Sequence, residues 1–209
     1  MALGLLLHTD KGLLSHPGFR HLQSALATDE LATVSIMVNR GLNSPFTSSI
    51  GRLFDAVAAL TGVRTDAHYE GQAAIELEAC ADTGADGAYS FDTCEGSGGT
   101  PTVIEYEPVL RAILNDLDAG VSAPVISMRF HRAVVAMTVE VAACAAAAAG
   151  TRHVTLSGGV FMNRILLAGA MRGLESRGLT PLIHRLLPVN DGGISYGQAV
   201  IANASRDAV

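Results

Sequence analysis

The chain has 209 residues, of which 49% are hydrophobic and 16% are charged, and its formal net charge is −6. This length and apolar content allow a sizeable core and exclude an intrinsically disordered chain. With only 14 Lys and Arg residues, the chain lacks the basic footprint of a dedicated nucleic-acid binder. Its three cysteines, Cys80, Cys94 and Cys144, form no CxxC pair, which excludes a zinc ribbon and a disulfide framework. These features predict a cytoplasmic globular protein.

Two apolar segments resemble targeting or membrane sequences in hydrophobicity. The N-terminal run is short and has no basic flank, so it does not predict a signal peptide. The Ala-rich run 133–150 approaches the length of a membrane span, but it contains Glu140 and consists of Ala and Val rather than Leu and Phe. It therefore predicts a buried helix with Cys144 in the core, and no membrane association.

The first part of the chain predicts four helices. Apolar spacing and helix-start signals place them at 18–26, 28–38, 48–61 and 71–81. In the second helix Thr28 is a predicted N-cap, followed by acidic residues in the first turn. Capping of the third helix explains the polar cluster at 47–49.

The remaining chain predicts short strands and longer helices. Strands are expected at 88–91 and 102–106, around a Gly/Ser-rich loop at 92–100. A helix begins near Pro108 and ends before Gly120, and the longest helix spans 124–149. Strands at 153–156 and 182–184 then alternate with helices at 161–177 and 192–204. This alternation predicts a parallel α/β core.

The first motif that indicates chemistry is Ser157-Gly158-Gly159, between a predicted strand and a helix. Glycine pairs let backbone amides approach an anion closely, and a helix N-terminus favours negative charge. The string matches neither the P-loop nor the Rossmann pattern. A tight turn that only needs small residues is an equally simple interpretation.

The second motif is Asn190-Asp191-Gly192-Gly193, at the start of the last predicted helix. Asp191 is interpreted either as an N-cap or as a ligand for a hard cation. Both motifs follow strands of one parallel sheet, so both are expected at the edge where ligands bind in open α/β sheets.

Other polar residues allow simpler interpretations. Arg52 and Asp55 lie three apart on a helix and are able to pair with each other. Glu76 is either a solvated helix charge or a ligand for ribose hydroxyls. The seven histidines form no HxxxH or HExxH pair, so the sequence does not encode a complete metal site.

Four strings, in this order, carry a family resemblance: NSPFTSSIGRLFDAVAAL, YEGQAAIELEA, LSGGVFMNRILL and LPVNDGGISYGQA. They resemble the C-terminal, threonylcarbamoyladenosine-synthase-like part of the hydrogenase maturation carbamoyltransferases, the HypF family. The resemblance implies an α/β fold with a mixed or parallel sheet flanked by helices, forming one lobe of an actin/sugar-kinase/Hsp70-like ATPase fold. It makes residues 1–209 a single lobe, with 43–209 well matched and a helical part at 1–42 matched loosely.

The resemblance also implies a reaction and roles for named residues. In the family, carbamoyl phosphate and ATP yield carbamoyl-adenylate, and the carbamoyl group passes to the C-terminal cysteine thiol of the partner protein HypE. By resemblance, nucleotide contacts are assigned to Ser157, Gly158 and Gly159 at the phosphate, Asn163 at the adenine, and Asp55, Gly71 and Glu76 around the ribose. Asp191 is assigned as the catalytic ligand of a divalent metal, zinc or iron.

The chain departs from the family pattern in what it lacks. It contains no HHHAH-type string, which supplies further metal ligands in the family, and no acylphosphatase-like, zinc-finger or carbamoyl-adenylate-forming segment. We therefore expect a second lobe that depends on upstream domains of the same enzyme, shares its metal with a missing lobe, and transfers no carbamoyl group alone. An unpartnered lobe exposes an apolar face, so self-association is also expected. The alternatives are a sugar-kinase-like phosphotransferase and a non-catalytic nucleotide-binding or docking lobe.

Overall fold

A computed structural model describes residues 1–27, 29–94 and 101–206. The chain divides into two compact units, Met1–Met137 and Thr138–Val209. The helices of the described residues are α1 (Ala2–Thr9), α2 (Arg20–Ala25), α3 (Glu30–Arg40), α4 (Ile50–Leu60), α5 (Gln72–Ala79), α6 (Glu107–Asp118), α7 (Ala123–Ala148), α8 (Arg164–Ser176) and α9 (Ile194–Arg206). The strands are β1 (Asp92–Cys94), β2 (Val103–Glu105), β3 (His153–Leu156) and β4 (Thr180–Ile183).

The core of the first unit is helical. Helix α4 buries Leu53, Phe54 and Val57, whose three- and four-residue spacing places them on one face. Helix α4 packs against α5 and against α1. The N-terminal apolar run forms α1 and buries Leu6 completely, so it contributes to the core of this unit.

A buried histidine lies among the aromatic rings of this core. His131 is 0% exposed, and its ring centroid lies 5.1 Å from that of Phe54. Its Nδ1 lies 2.8 Å from the carbonyl oxygen of Ser127, one turn earlier in α7. The His131 ring is therefore completely enclosed in the core of this unit.

We expect His131 to make the stability of the fold depend on pH. Burial lowers the pKa of folded His131 below the ordinary value of 6.5. Below that pH the unfolded chain binds more protons than the folded chain, so the free energy of unfolding falls as pH falls, by at most about 1.4 kcal/mol per pH unit for this group. Urea unfolding at pH 7.5 and 5.5 is therefore expected to show a smaller decrease for His131→Gln than for the wild type. His153→Ala, which removes an exposed histidine, is the control, and equal decreases in all three proteins would contradict the prediction.

The second unit contains the parallel strands predicted from the alternation of strands and helices. Strand β3 pairs in parallel with β4, with Leu156 opposite Ile183 at their carboxyl ends. Helix α8 connects the two strands and buries Leu166, Ala170 and Leu174, a four-residue spacing that forms one apolar stripe. The α/β alternation is therefore confirmed, and each sheet in the described residues has two strands.

Several local predictions fail. Residues 88–91 form no strand, and β1 lies later, at Asp92–Cys94, where it pairs antiparallel with β2. The N-cap residue of α4, Ser49, makes no side-chain capping hydrogen bond. The Thr47 hydroxyl accepts a hydrogen bond from the Ser49 amide. The predicted N-cap Thr28 and the loop residues 95–100 lie outside the described residues.

The long helix α7 is buried along only part of its length. By length and composition alone, one helix among the described residues could cross a membrane, and this helix is α7. In its most apolar stretch, 33% of the residues are buried. Ile126, Phe130 and Val134 in its first half are enclosed, whereas Cys144 in its second half is exposed. Within the predicted run 133–150, Ala133, Val134, Val139 and Ala146 are buried, whereas Val141 is exposed. The prediction that this run is a buried helix is therefore only partly correct, and the prediction of Cys144 as a core residue is wrong.

Candidate functional site

A cavity of about 520 Å³ opens in the first unit. Asp55 from α4 and Gly71, just before α5, both contribute to its wall. The other lining residues are Thr47, Ser49, Arg52, Ala67, Tyr69 and Glu70. The structure thus places two of the three residues that the resemblance assigns to the ribose around one cavity.

The charge of this cavity depends on a close ion pair. Arg52 Nη2 lies 3.1 Å from Asp55 Oδ2, three residues further along α4, so the pairing inferred from their spacing is present. Burial raises the pKa of Asp55, and the Arg52 guanidinium partly offsets this effect. Asp55 is only 16% exposed, which leaves it as a partly desolvated acceptor on the cavity wall.

Gly71 sets the direction of the chain as it leaves this wall. It has a φ of 78° and immediately precedes α5. A left-handed conformation of this kind is readily adopted by glycine. It allows Tyr69 and Glu70 to line the cavity while the chain turns into the helix.

Glu76 has two side-chain partners in the first unit. Arg64 donates from Nε to Glu76 Oε2 at 2.7 Å and from Nη2 to Oε1 at 2.6 Å. Gln72 Nε2 donates to Oε1 at 2.9 Å. The hydrogen bonds from Arg64, followed by that from Gln72, lower the pKa of Glu76. A ribose hydroxyl would have to share or displace these donors, so a ribose contact by Glu76 stays a prediction.

The glycine turn of the second unit follows β3. Gly158 has φ 104° and ψ 154°, a region of backbone space that is essentially restricted to glycine. Its amide donates to the carbonyl oxygen of Val189 at 3.0 Å, and its carbonyl accepts from the amide of Phe161 at 3.0 Å. Gly158 therefore shapes the turn and joins it to the next loop, and its own N–H is already engaged.

The second turn lies beside the first. A Cβ placed on Gly159 would lie 3.7 Å from Cβ of Asn190. Asn190 Oδ1 accepts from the Gly192 amide at 3.1 Å and caps a short 3-10 helix at Asp191–Gly193. The N-cap interpretation of Asp191 is therefore wrong, because Asn190 has that role. Asp191 itself is exposed, and the adjacency expected from the strand order is confirmed.

Asn163 has a structural role at the start of α8. Its Oδ1 accepts from the Leu166 amide at 2.9 Å, and the residue is 8% exposed. This is a standard N-cap hydrogen bond. The adenine contact implied by resemblance stays a prediction.

His184 also lies in this region, although no sequence motif indicated it. Its Nε2 lies 3.0 Å from Oγ of Ser157. The register of the strands explains this contact, because Leu156 and Ile183 are opposite each other in the parallel pair. The residues that follow them, Ser157 and His184, must then be neighbours at the carboxyl end of the sheet.

The described ranges of the chain do not form a metal centre. Within residues 1–27, 29–94 and 101–206, no group of three or more His, Cys, Asp or Glu side chains is placed to hold a metal ion. One exposed carboxylate, Asp191, is too small a donor set for a zinc or iron ion. The residues present therefore do not fit a complete site for the metal that the resemblance implies.

Comparison with known proteins connects these features to one family. The family model "Carbamoyltransferase, Kae1-like Domain, second subdomain" matches residues 1–198. The chain belongs to this family. The match extends through residues 1–42, where the sequence resemblance was looser.

Curated relatives of this second subdomain are HypF proteins. Carbamoyltransferase HypF of Rhizobium leguminosarum bv. viciae is 42% identical over 172 residues, which cover 81% of this chain and 21% of the relative. A HypF homolog of Cupriavidus necator is 40% identical over 181 residues, which cover 81% of this chain and 44% of the relative. The chain thus spans less than half of the length of either relative and corresponds to part of a carbamoyltransferase.

Solved structures show the same fold. A crystal structure of full-length HypF in the phosphate- and nucleotide-bound form superposes with a TM-score of 0.84 and 36% identity, covering 95% of this chain and 26% of that one. The HypF of T. kodakarensis, at 24% identity and a TM-score of 0.70, supports the fold alone. The predicted family and the α/β, ATPase-type fold class are confirmed, although this second subdomain is rich in helix and its sheets are small.

Proposed function

We propose that this second subdomain supplies the phosphate-contacting turn and part of the ribose site of an ATP-dependent, ligase-type carbamoyltransferase in [NiFe]-hydrogenase maturation. The observation that carries the proposal is the hydrogen bond from Gly158 to Val189, which places two glycine-rich turns side by side at the carboxyl end of β3 and β4. Ligands of open α/β sheets bind at this edge. The family match favours this function over a sugar-kinase-like phosphotransferase.

The proposed reaction has two stages. Water cleaves carbamoyl phosphate into carbamate and phosphate, and a carbamate oxygen then attacks the α-phosphorus of ATP, which gives carbamoyl-adenylate and releases pyrophosphate. The C-terminal cysteine thiolate of HypE then attacks the carbonyl carbon of the adenylate. A C–S bond forms, the C–O bond to the phosphate breaks, and AMP leaves. Donors fixed beside the phosphate favour this step because they stabilise the charge of the leaving group without reorganising.

The roles of the phosphate-turn residues are divided. Gly158 gives the turn its shape, since its amide is bonded to Val189. The Ser157 hydroxyl is exposed, and the Gly159 amide begins a short 3-10 helix, so it has no acceptor within that helix. We assign the phosphate contact to these two groups. The ribose roles of Asp55 and Gly71 rest on the family resemblance, and the cavity that these two residues line within the first unit supports them.

Asp191 is proposed to be one ligand of a zinc or iron ion that a lobe outside this chain completes. The other proposed partners are the upstream domains of the same enzyme and HypE, in the cytoplasm, with no nucleic acid or membrane. Exposed apolar residues on α9, among them Ile194 and Ile201, support the expectation that the chain alone self-associates.

A chimeric enzyme tests the proposed function. This chain replaces the matching segment of the Rhizobium leguminosarum relative, and carbamoylation of the HypE cysteine is followed by mass spectrometry. We expect transfer by the chimera and none by the 209-residue chain alone. Transfer by the chain alone would show that it is a complete enzyme. A folded but inactive chimera, beside an active parent, would favour a docking lobe.

Asp191→Ala in the same chimera tests the metal assignment. We expect loss of bound metal, measured by elemental analysis, and loss of transfer. The thermal unfolding midpoint of the metal-free protein should not change, because the side chain is exposed. Glu175→Ala, which removes an exposed carboxylate from α8, is the matched control and is expected to retain both. Full metal content in the Asp191 variant would remove the assignment.

A further inference from the structure

The carboxyl end of the parallel pair carries a side-chain contact that the proposed function does not use. His184 Nε2 and Ser157 Oγ are 3.0 Å apart, and each residue directly follows one of the two paired strands. Both residues are exposed, so solvent or a ligand is able to reach them. The contact lies at the start of the turn whose geometry Gly158 fixes.

The direction of this hydrogen bond decides what Ser157 offers to a ligand. A serine hydroxyl has one proton to donate and lone pairs that accept. If His184 Nε2 accepts, the hydroxyl proton points at the imidazole and lone pairs face outward. If Nε2 carries the proton and donates, one lone pair of the serine oxygen accepts that bond and the hydroxyl proton is available to a third group. Only the second arrangement presents a donor to an anion.

We propose that His184 is a positioning residue that donates from Nε2 to Ser157 Oγ and thereby directs the Ser157 hydroxyl proton toward the nucleotide phosphate. This inference rests on the proposed phosphate contact of Ser157. A bound phosphate accepts hydrogen bonds, so it favours the form of the pair in which Ser157 donates. His184 acts through Ser157 and touches no reacting atom.

The register of the sheet supports this role. Leu156 is opposite Ile183 in the parallel ladder, which holds the backbone on both sides of the contact. The side chains of Ser157 and His184 thus begin from neighbouring, fixed positions. The adjacent bond from Gly158 to Val189 holds the two connecting loops together. A donor that must be correctly oriented gains most from such a rigid support.

The test compares AMP with adenosine, which differ by the phosphate. Affinities of the 209-residue chain for both are measured by calorimetry. We expect the wild type to prefer AMP, and His184→Ala to weaken AMP about three- to tenfold, the effect of one oriented hydrogen bond, with adenosine affinity unchanged. Ser157→Ala is expected to do the same. The double variant is expected to be no weaker than Ser157→Ala, because both residues act through one hydroxyl.

Three further variants separate orientation from general structural effects. His184→Gln places an amide Nε2 donor near the position of the histidine Nε2 and is expected to restore AMP affinity, whereas His184→Asn is shorter and is expected to behave like Ala. His153→Ala, at the opposite end of β3, is expected to bind like the wild type. All variants should keep the wild-type unfolding midpoint, because the substituted side chains are exposed.

The outcomes distinguish this inference from the function on which it rests. If the wild type binds AMP no more tightly than adenosine, the phosphate turn is wrongly assigned and the role of His184 is wrong with it. If AMP is preferred but His184→Ala keeps that preference, only the positioning role is wrong. Multiplicative effects of the two alanine substitutions would also overturn it, because they would mean that His184 acts independently of Ser157.

Discussion

Replacing Gly158 by alanine is expected to weaken AMP binding about tenfold and to lower the free energy of unfolding by about 1–3 kcal/mol. The backbone of Gly158, at φ 104° and ψ 154°, is one that an L-residue adopts only under strain. No atom lies within 4 Å of the added Cβ, so the cost arises from the backbone and not from a clash. Relaxation of that strain would turn the Gly158 amide away from Val189 and separate the two turns. Calorimetry and urea unfolding measure the two effects.

Gly197→Ala is the matched control for this substitution. Gly197 lies within α9, and an added Cβ has no atom within 4 Å. Alanine is a better helix former than glycine, so this variant should bind AMP like the wild type and be slightly more stable. Wild-type AMP affinity in the Gly158 variant would show that the turn does not contact the phosphate.

The largest loss of stability is expected for Gly18→Ala, at about 3 kcal/mol. Gly18 lies in the short 3-10 helix Pro17–Phe19, which packs on α6. An added Cβ would overlap the carbonyl oxygen of Leu114, a backbone atom of α6. The turn has little freedom to move away, because His16 Nδ1 accepts from the Gly18 amide at 3.1 Å. The free energy of unfolding by urea measures the effect.

Gly4→Ala provides the comparison for Gly18. Gly4 lies inside α1, where the added Cβ would make an ordinary contact at 3.9 Å with Val38. This variant is expected to be more stable than the wild type by about 0.5–1 kcal/mol. A Gly18 variant as stable as the Gly4 variant would mean that the first unit packs more loosely around α6 than its backbone indicates.

Elements with strong apolar periodicity were predictable from the sequence. Leu53, Phe54 and Val57 form the buried face of α4. Their three- and four-residue spacing is present in the sequence, so the helix was predictable. Residues 88–91 fit a strand by composition, but Tyr89 is held by distant groups. Its amide donates to the carbonyl of Arg129, and its hydroxyl donates to Asp116 at 2.6 Å. Contacts between residues this far apart in the sequence override the local preference for a strand. A pattern of neighbouring residues does not predict such contacts.

The candidate site was predictable where it depends on strand order. Parallel strands bring their carboxyl ends together, so the adjacency of the two glycine turns followed from the alternation of elements. The engagement of Glu76 was not predictable, because its partner Arg64 lies in a separate loop and reaches it only in three dimensions. His184 was not predicted, because it belongs to no paired metal-ligand motif and falls inside the expected strand 182–184. In the structure β4 ends at Ile183, which leaves His184 beside Ser157 at the carboxyl end of the sheet.

The parallel sheet of the second unit has a consequence for handling the protein. With two strands in the described residues, each of β3 and β4 has one edge along which backbone N–H and C=O groups lack a neighbouring strand. Such edges are templates for the addition of strands from other molecules. Concentrated samples are therefore expected to aggregate through intermolecular β-pairing, and a lysine introduced on an outward-facing edge position is the rational means of keeping them dispersed.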